Sequence, residues 1–98
     1  MELTTNIWRI YPDDAPTSAV GRDVPGGSRI FAHRIRWQPD GSSDPGDAVH
    51  VKDAKGRTVF FHEAVAGESF FEQEFAAPLA GPLEVPSLAS GVLEIIIE

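Results

Sequence analysis

The sequence predicts an all-β protein, a single antiparallel β-sandwich or jelly-roll-like barrel of about six to eight short strands. Apolar and polar residues alternate in several short segments, as they do in strands with one buried face. Clusters of Gly, Pro, Asp and Ser separate those segments and mark turns. No segment carries the periodicity of an amphipathic helix of ordinary length. With 98 residues, the chain has the size of one domain, predicted to span residues 1–98.

The first predicted strand is Asn6 to Tyr11, with Trp8 and Ile10 on one face. Pro12 to Ser28 follows and contains several prolines and glycines without strand or helix periodicity. We interpret this segment as a long connection. Connections of that length are usually functional or packed against a neighbour.

A second strand is predicted from Arg29 to Trp37, because its apolar and polar residues alternate. Arg34 and Arg36 would point away from the core. Gln38 to Gly46 is rich in turn residues and is predicted to be a loop. The residues predicted to share the inward face are Phe31, His33, Ile35 and Trp37.

The segment VHVKDAKGRTVFF, Val49 to Phe61, predicts a β-hairpin. Asp53 opens its turn and Gly56 closes it, as in a type I turn followed by a bulge with φ > 0. That turn pairs Asp53 with Arg57. It would place four apolar side chains on one face and Phe60 on the other. The four are Val49, Val51, Val59 and Phe61.

The last third predicts three further extended segments. Ser69 to Phe75 alternates, Leu83 to Val85 is brief, and a turn is expected over Pro86 to Ser90. The last predicted strand is Gly91 to Glu98, and its β-branched residues predict that it lies inside a sheet. Its expected inward residues are Leu93, Ile95 and Ile97.

Composition limits the function classes. Eight basic and fifteen acidic residues give a net charge of −7, which disfavours nucleic-acid or anionic-membrane partners. There is no cysteine, so disulfides, thiol nucleophiles and Cys-type zinc sites are excluded. The first residues lack the pattern of a signal peptide, and no apolar stretch approaches the roughly 20 residues of a membrane helix.

Neither of two patterns with metal-ligand chemistry predicts a metal site. The three histidines, His33, His50 and His62, have no His-x-His spacing that would present two imidazoles on one strand face. The loop QPDGSSDPGD contains three aspartates but does not match a calcium-binding loop. We interpret Asp40, Asp44 and Asp47 as residues that close turns through the backbone. We expect neither metal nor cofactor.

The sequence contains no motif that indicates an enzyme. No serine lies in Gly-x-Ser-x-Gly, and the segment GRDVPGGS is not followed by a helix that would complete a phosphate loop. Four glutamates that alternate with core residues are interpreted as lying on solvated faces, not as a glycosidase pair. These are Glu72, Glu74, Glu84 and Glu94. A core role is expected for Trp8 and Trp37, which are in phase with apolar neighbours.

The hairpin VHVKDAKGRTVFF joined to FAAPLAGPLEVPSLASGVLEIIIE resembles small virion proteins of tailed bacteriophages. In that pattern an Asp- and Gly-containing hairpin leads to a less regular region, a Gly-Leu-x-Val piece and a final Ser-Gly-x-Leu-x-Ile strand. The counterparts are Gly81 to Val85, with Pro82 inserted after the glycine, and Ser90 to Ile95. The resemblance covers Val49 to Glu98.

The resemblance implies a non-enzymatic structural protein on the capsid surface, made in the host bacterial cytoplasm. A decoration or cement protein that binds the major capsid protein is the favoured interpretation, and a homo-oligomer is a state that this interpretation leaves open. Alternatives are a head–tail connector or tail subunit and, from another class, a carbohydrate-binding module with an exposed tryptophan platform. The candidate partner interface is His50, Phe60 and His62, because the predicted register places Phe60 on the outer face between the two histidines.

Overall fold

The structure, a computed structural model, describes residues 2–4, 6–20, 31–53, 55–80 and 82–97. Within these ranges it contains nine β-strands and one 3-10 turn, Pro12–Asp14. No helix in the described ranges has the length and apolar character required to cross a membrane. The strands are β1 (Glu2–Thr4), β2 (Ile7–Ile10), β3 (Thr17–Val20), β4 (Phe31–Gln38), β5 (Ala48–Lys52), β6 (Thr58–Glu63), β7 (Phe71–Ala80), β8 (Leu83–Leu88) and β9 (Val92–Ile97).

The strands form two antiparallel sheets that enclose one apolar core, so the predicted β-sandwich is confirmed. One sheet has five strands in the order β1-β2-β9-β4-β7, and the other has four in the order β3-β8-β5-β6. Strand β9 is central in its sheet, between β2 and β4. The predicted burial of Leu93, Ile95 and Ile97 is confirmed. The largest fully buried side chains of the core are Trp37, Phe60, Ile10, Ile35, Leu83, Leu93, Ile95, Val49, Val51 and Val85.

The predicted long connection Pro12 to Ser28 contains more structure than its composition indicated. The 3-10 turn and β3 lie in its first half, and β3 pairs with β8 at the edge of the four-stranded sheet. Residues 21–28 of this prediction lie outside the described residues, as do residues 29 and 30 of the predicted second strand. The prediction for the first strand was correct, because Ile10 is buried and Trp8 packs against the core.

A bulge in β4 changes the face that its first residues present. Ala32 lies opposite Ile97 and Arg34 lies opposite Ile96, so His33 is an extra residue without a partner on β9. The prediction that Phe31 shares the inward face was therefore wrong. Phe31 is half-exposed, and Ala32 is fully buried in its place. Beyond the bulge, Ile35 and Trp37 point inward as predicted.

The predicted turn of the β5–β6 hairpin is confirmed. Gly56 has φ +82°, and its N–H donates to the carbonyl of Asp53 at 3.0 Å. The Asp53 N–H in turn donates to the Arg57 carbonyl at 2.9 Å, as the predicted pairing requires. A positive φ at this position is the reason why glycine closes the turn.

The predicted register beyond that turn was wrong, because a second bulge follows at Val59. Lys52 lies opposite Thr58 and Val51 lies opposite Phe60, so Val59 is the extra residue. A one-residue shift exchanges the two faces of a strand. Phe60 is consequently in the core, with 1% of its surface exposed, and Phe61 is on the outer face. The aromatic side chain that makes this arrangement favourable is Phe71 of the opposite sheet, with ring centroids 5.7 Å from Phe60.

Strand β8 continues through Pro86, where the sequence predicted a turn. On the neighbouring β5, His50 pairs with Ser87 and Lys52 pairs with Glu84, which leaves two β8 residues opposite Val51. The proline is one of these two, and a bulge tolerates a residue that has no N–H to donate. The turn is therefore shorter than predicted and begins after Leu88.

Candidate partner interface

The outer side of the β5–β6 hairpin carries an exposed aromatic residue with polar neighbours. His50, Lys52, Thr58 and Phe61 form this surface, here called the hairpin face. His50 and Phe61 are opposite each other, with ring centroids 5.6 Å apart in an edge-to-face arrangement. The Nε2 atom of His50 lies 2.7 Å from the Thr58 hydroxyl, which fixes the ring. Phe61 has 51% of its surface exposed, so this arrangement leaves much of its ring available for a contact.

The predicted interface of His50, Phe60 and His62 is divided between two environments. His50 lies on the hairpin face, but Phe60 is buried and His62 lies on the same inward side of β6. The assignment of Phe60 to a partner interface was therefore wrong, because the Val59 bulge turns it into the core. Phe61 takes its place on the outer face. No signal within the hairpin sequence distinguishes the two registers, because the deciding contact comes from Phe71.

His62 closes the side of the sandwich between β6 and β7. Its ring stacks on Phe71, with centroids 4.0 Å apart and planes inclined by 5°, and lies 5.6 Å from Trp37. The Nε2 atom lies 2.9 and 3.0 Å from the two carboxylate oxygens of Glu68. Glu68 also accepts a hydrogen bond from the Val65 N–H at 2.8 Å. The His62–Glu68 pair therefore holds the β6–β7 loop in place, and both side chains make structural contacts.

The Glu68 carboxylate should make stability sensitive to acid. Burial raises its pKa, but the hydrogen bonds from His62 and the Val65 N–H outweigh that effect and lower the pKa from its ordinary 4.5. A carboxylate with a lowered folded-state pKa stabilises the fold above the ordinary value, and this contribution is lost as the pH falls below it. We expect Glu68→Gln to cost about 1 kcal/mol at pH 7.

The difference in melting temperature between Glu68→Gln and the original chain should shrink as the pH falls from 5 to 3. Glu63→Gln, at an exposed position on β6, is the matched control and should leave the melting temperature nearly unchanged at pH 7. A Glu68→Gln difference that stayed constant over this range would contradict the assignment.

The side chains of Asp40 and Asp47 close turns in loop 39–47, as the sequence indicated. Asp40 accepts hydrogen bonds from the N–H and hydroxyl of Ser42, at 2.8 and 2.7 Å, which lower its pKa. Asp47 accepts from the Asp44 N–H at 3.0 Å and from the Ser90 hydroxyl at 2.7 Å, and its pKa is lowered as well. The described residues contain no group of three or more His, Cys, Asp or Glu arranged to hold a metal ion.

The outer face of the five-stranded sheet carries a network of ion pairs. Glu94 lies 3.1 Å from the Arg9 Nε and accepts from the Gln38 amide at 3.1 Å. Glu72 lies 3.0 Å from Arg34 and 3.1 Å from Arg36. The prediction of a solvated face was wrong for Glu94, which is only 8% exposed. Glu72 and Glu84 are partly buried, and Glu74 is exposed as predicted. Glu72 and Glu94 cross-link neighbouring strands, which is a structural role.

The two tryptophans do not provide a flat exposed platform. Trp37 is 1% exposed, and its indole N–H donates to the Ser90 carbonyl at 2.8 Å. Trp8 is partly buried and packs against the core. The predicted core role is therefore confirmed for Trp37.

Comparison of the chain with protein-family models, curated protein sequences and solved structures finds no match.

Proposed function

We propose that this chain is a non-enzymatic structural protein of a tailed-phage virion that binds another virion protein through its hairpin face. The favoured role is a capsid decoration or cement protein, and the favoured partner is the major capsid protein. The resemblance of Val49 to Glu98 to small virion proteins supports the class. The hairpin face lies within that same segment.

The exposed ring of Phe61 carries the proposal. A half-exposed phenylalanine beside an ordered histidine is an apolar contact site with little conformational entropy left to lose on binding. Aromatic residues, phenylalanine included, are enriched at protein interfaces relative to the rest of the surface. The burial of Trp37 removes the platform that a carbohydrate-binding module would need, so the structural role is favoured over that alternative.

The experiment uses particles of the phage that encodes the chain. Mass spectrometry of purified particles should detect the protein, and electron cryomicroscopy should locate it on the capsid surface. Shells lacking the protein are then incubated with the original chain, Phe61→Asp or Phe31→Asp. Phe31 is a matched control because it is also half-exposed but lies on β4, in the other sheet.

We expect Phe61→Asp to bind the shells about tenfold more weakly and Phe31→Asp to bind like the original chain. Circular dichroism should show that both variants fold, because both positions are half-exposed. Absence of the protein from particles would contradict the proposed function. Density at the head–tail junction or in the tail would favour the connector or tail-subunit alternative.

A further inference from the structure

Strand β6 has an open side, here called the β6 edge, because it is the last strand of the four-stranded sheet and pairs only with β5. Just beyond β6, the Ala64 N–H donates to the carbonyl of Asp47, the residue before β5, at 2.8 Å. Successive residues of a strand direct their backbone groups to opposite sides, so those of Phe61 and Glu63 are directed to the β6 edge. Among the described residues, none bonds to these backbone groups.

The charges around the β6 edge balance in number but are separated in position. At the turn end of the hairpin, three cations and two anions leave one positive charge in excess. These five residues are Lys52, Lys55, Arg57, Asp53 and Glu84. Glu63 is exposed at the other end of β6 and carries the balancing negative charge. The exposed ring of Phe61 lies between the positive end and the negative end.

We propose that two copies of this chain pair through their β6 edges, antiparallel to each other about a two-fold axis at Phe61. A two-fold contact requires a surface that complements itself. With Phe61 of each copy opposite that of the other, the N–H and C=O groups of the two residues can bond to each other. The Glu63 end of each strand then lies alongside the positive turn end of the other strand, which is favourable.

A second copy fits the β6 edge better than the open side of β7, the last strand of the other sheet. Self-pairing of β7 centred on residues 72–74 would place Glu72 or Glu74 opposite a glutamate of the other copy, and like charges opposite each other are destabilising. Pro78 also has no N–H to offer a further strand. The net charge of −7 keeps copies of the chain apart elsewhere, but the charges around the hairpin cancel.

The pairing leaves the hairpin faces of both copies exposed. Strand addition uses the backbone groups at a sheet edge, and the side chains stay on their own faces of the sheet. Two four-stranded sheets would become one continuous sheet, with the two Phe61 rings side by side on its outer face. The inference goes beyond the proposed function and does not depend on it, because the dimer forms without any virion protein.

The first test is sedimentation velocity of the full chain from about 5 to about 500 µM. We expect a monomer–dimer equilibrium with a dissociation constant of roughly 100 µM, because a contact between two strands is small. Glu63→Lys should weaken the dimer about tenfold, since it brings like charges together twice in a two-fold contact. Asp13→Lys makes the same change in net charge at an exposed position outside the hairpin and should not weaken it.

The second test locates the axis with a single introduced cysteine, because the chain has none of its own. Under the same mild oxidation, Phe61→Cys should form a disulfide-linked dimer about tenfold faster than Phe31→Cys, because the two-fold axis holds its sulfur atoms close together. Phe31 is a matched control, since it is also half-exposed but lies in the other sheet. A chain that stays monomeric over the whole concentration range, equal association of Glu63→Lys and Asp13→Lys, or equal cross-linking rates would overturn the inference.

Discussion

Replacement of Gly91 by alanine should destabilise the protein by at least about 4 kcal/mol, a large part of the stability of a domain of this size. Gly91 has φ +80°, where a side chain is strained. A Cβ atom at this position would lie 2.3 Å from the Gln38 carbonyl oxygen and 2.8 Å from the Trp37 indole nitrogen. Relief of this overlap would have to move the backbone at the end of β4 and the indole that bonds to Ser90.

Gly56→Ala is the matched control for this prediction. Gly56 has nearly the same φ, +82°, but an added Cβ would meet no atom within 4 Å. Its cost should therefore be the conformational strain alone, about 1–2 kcal/mol. Urea denaturation followed by tryptophan fluorescence measures both variants. Equal losses for the two would show that the close approach of Gly91 to Trp37 is unimportant.

Deletion of residues 95–98 should abolish cooperative folding. It removes half of β9, the strand that joins β2 and β4 at the centre of the five-stranded sheet. It also removes Ile95, which is fully buried, and Ile97, which is 8% exposed. Each lost core isoleucine costs about 2–5 kcal/mol, so the sum reaches the whole stability of a small domain.

The matched control keeps the strand but changes its residues, as Ile95→Val, Ile96→Thr, Ile97→Val. These substitutions preserve β-propensity and the inward apolar positions, so a cooperative but lower thermal transition is expected. Calorimetry distinguishes the two chains. A cooperative transition in the truncated protein would show that the core does not depend on the second half of β9.

The alternating apolar pattern was sufficient to predict the sandwich and the burial of β9, and the turn residues Asp53 and Gly56 were sufficient to predict the positive φ of Gly56. The alternating pattern was insufficient at His33, Val59 and Pro86, and each of these lies at a bulge. A bulge inserts one residue into a strand, and the pattern on each side of it remains regular, so alternation alone does not show where the faces exchange.

The candidate interface was mispredicted for the same reason. Phe60 and Phe61 are adjacent phenylalanines, and the hairpin sequence accommodates either of them in the core. Contacts across the sandwich decide between them, because Phe71 packs against Phe60 and stacks on His62. Phe71 makes this contact because β7 faces β6 across the core. The spacing of apolar residues within the hairpin does not indicate which strand lies opposite it.

The central position of β9 also determines the order in which the fold is completed during synthesis. Residues 7–10 pair with residues 93–96, so the β2 edge has no partner in this sheet except β1 until the ribosome has released the segment that contains β9. Pairing across that separation closes a long loop, which makes folding slow. Before that event the nascent chain exposes unpaired strand edges, and these edges are the part of the protein that a chaperone would need to protect from aggregation.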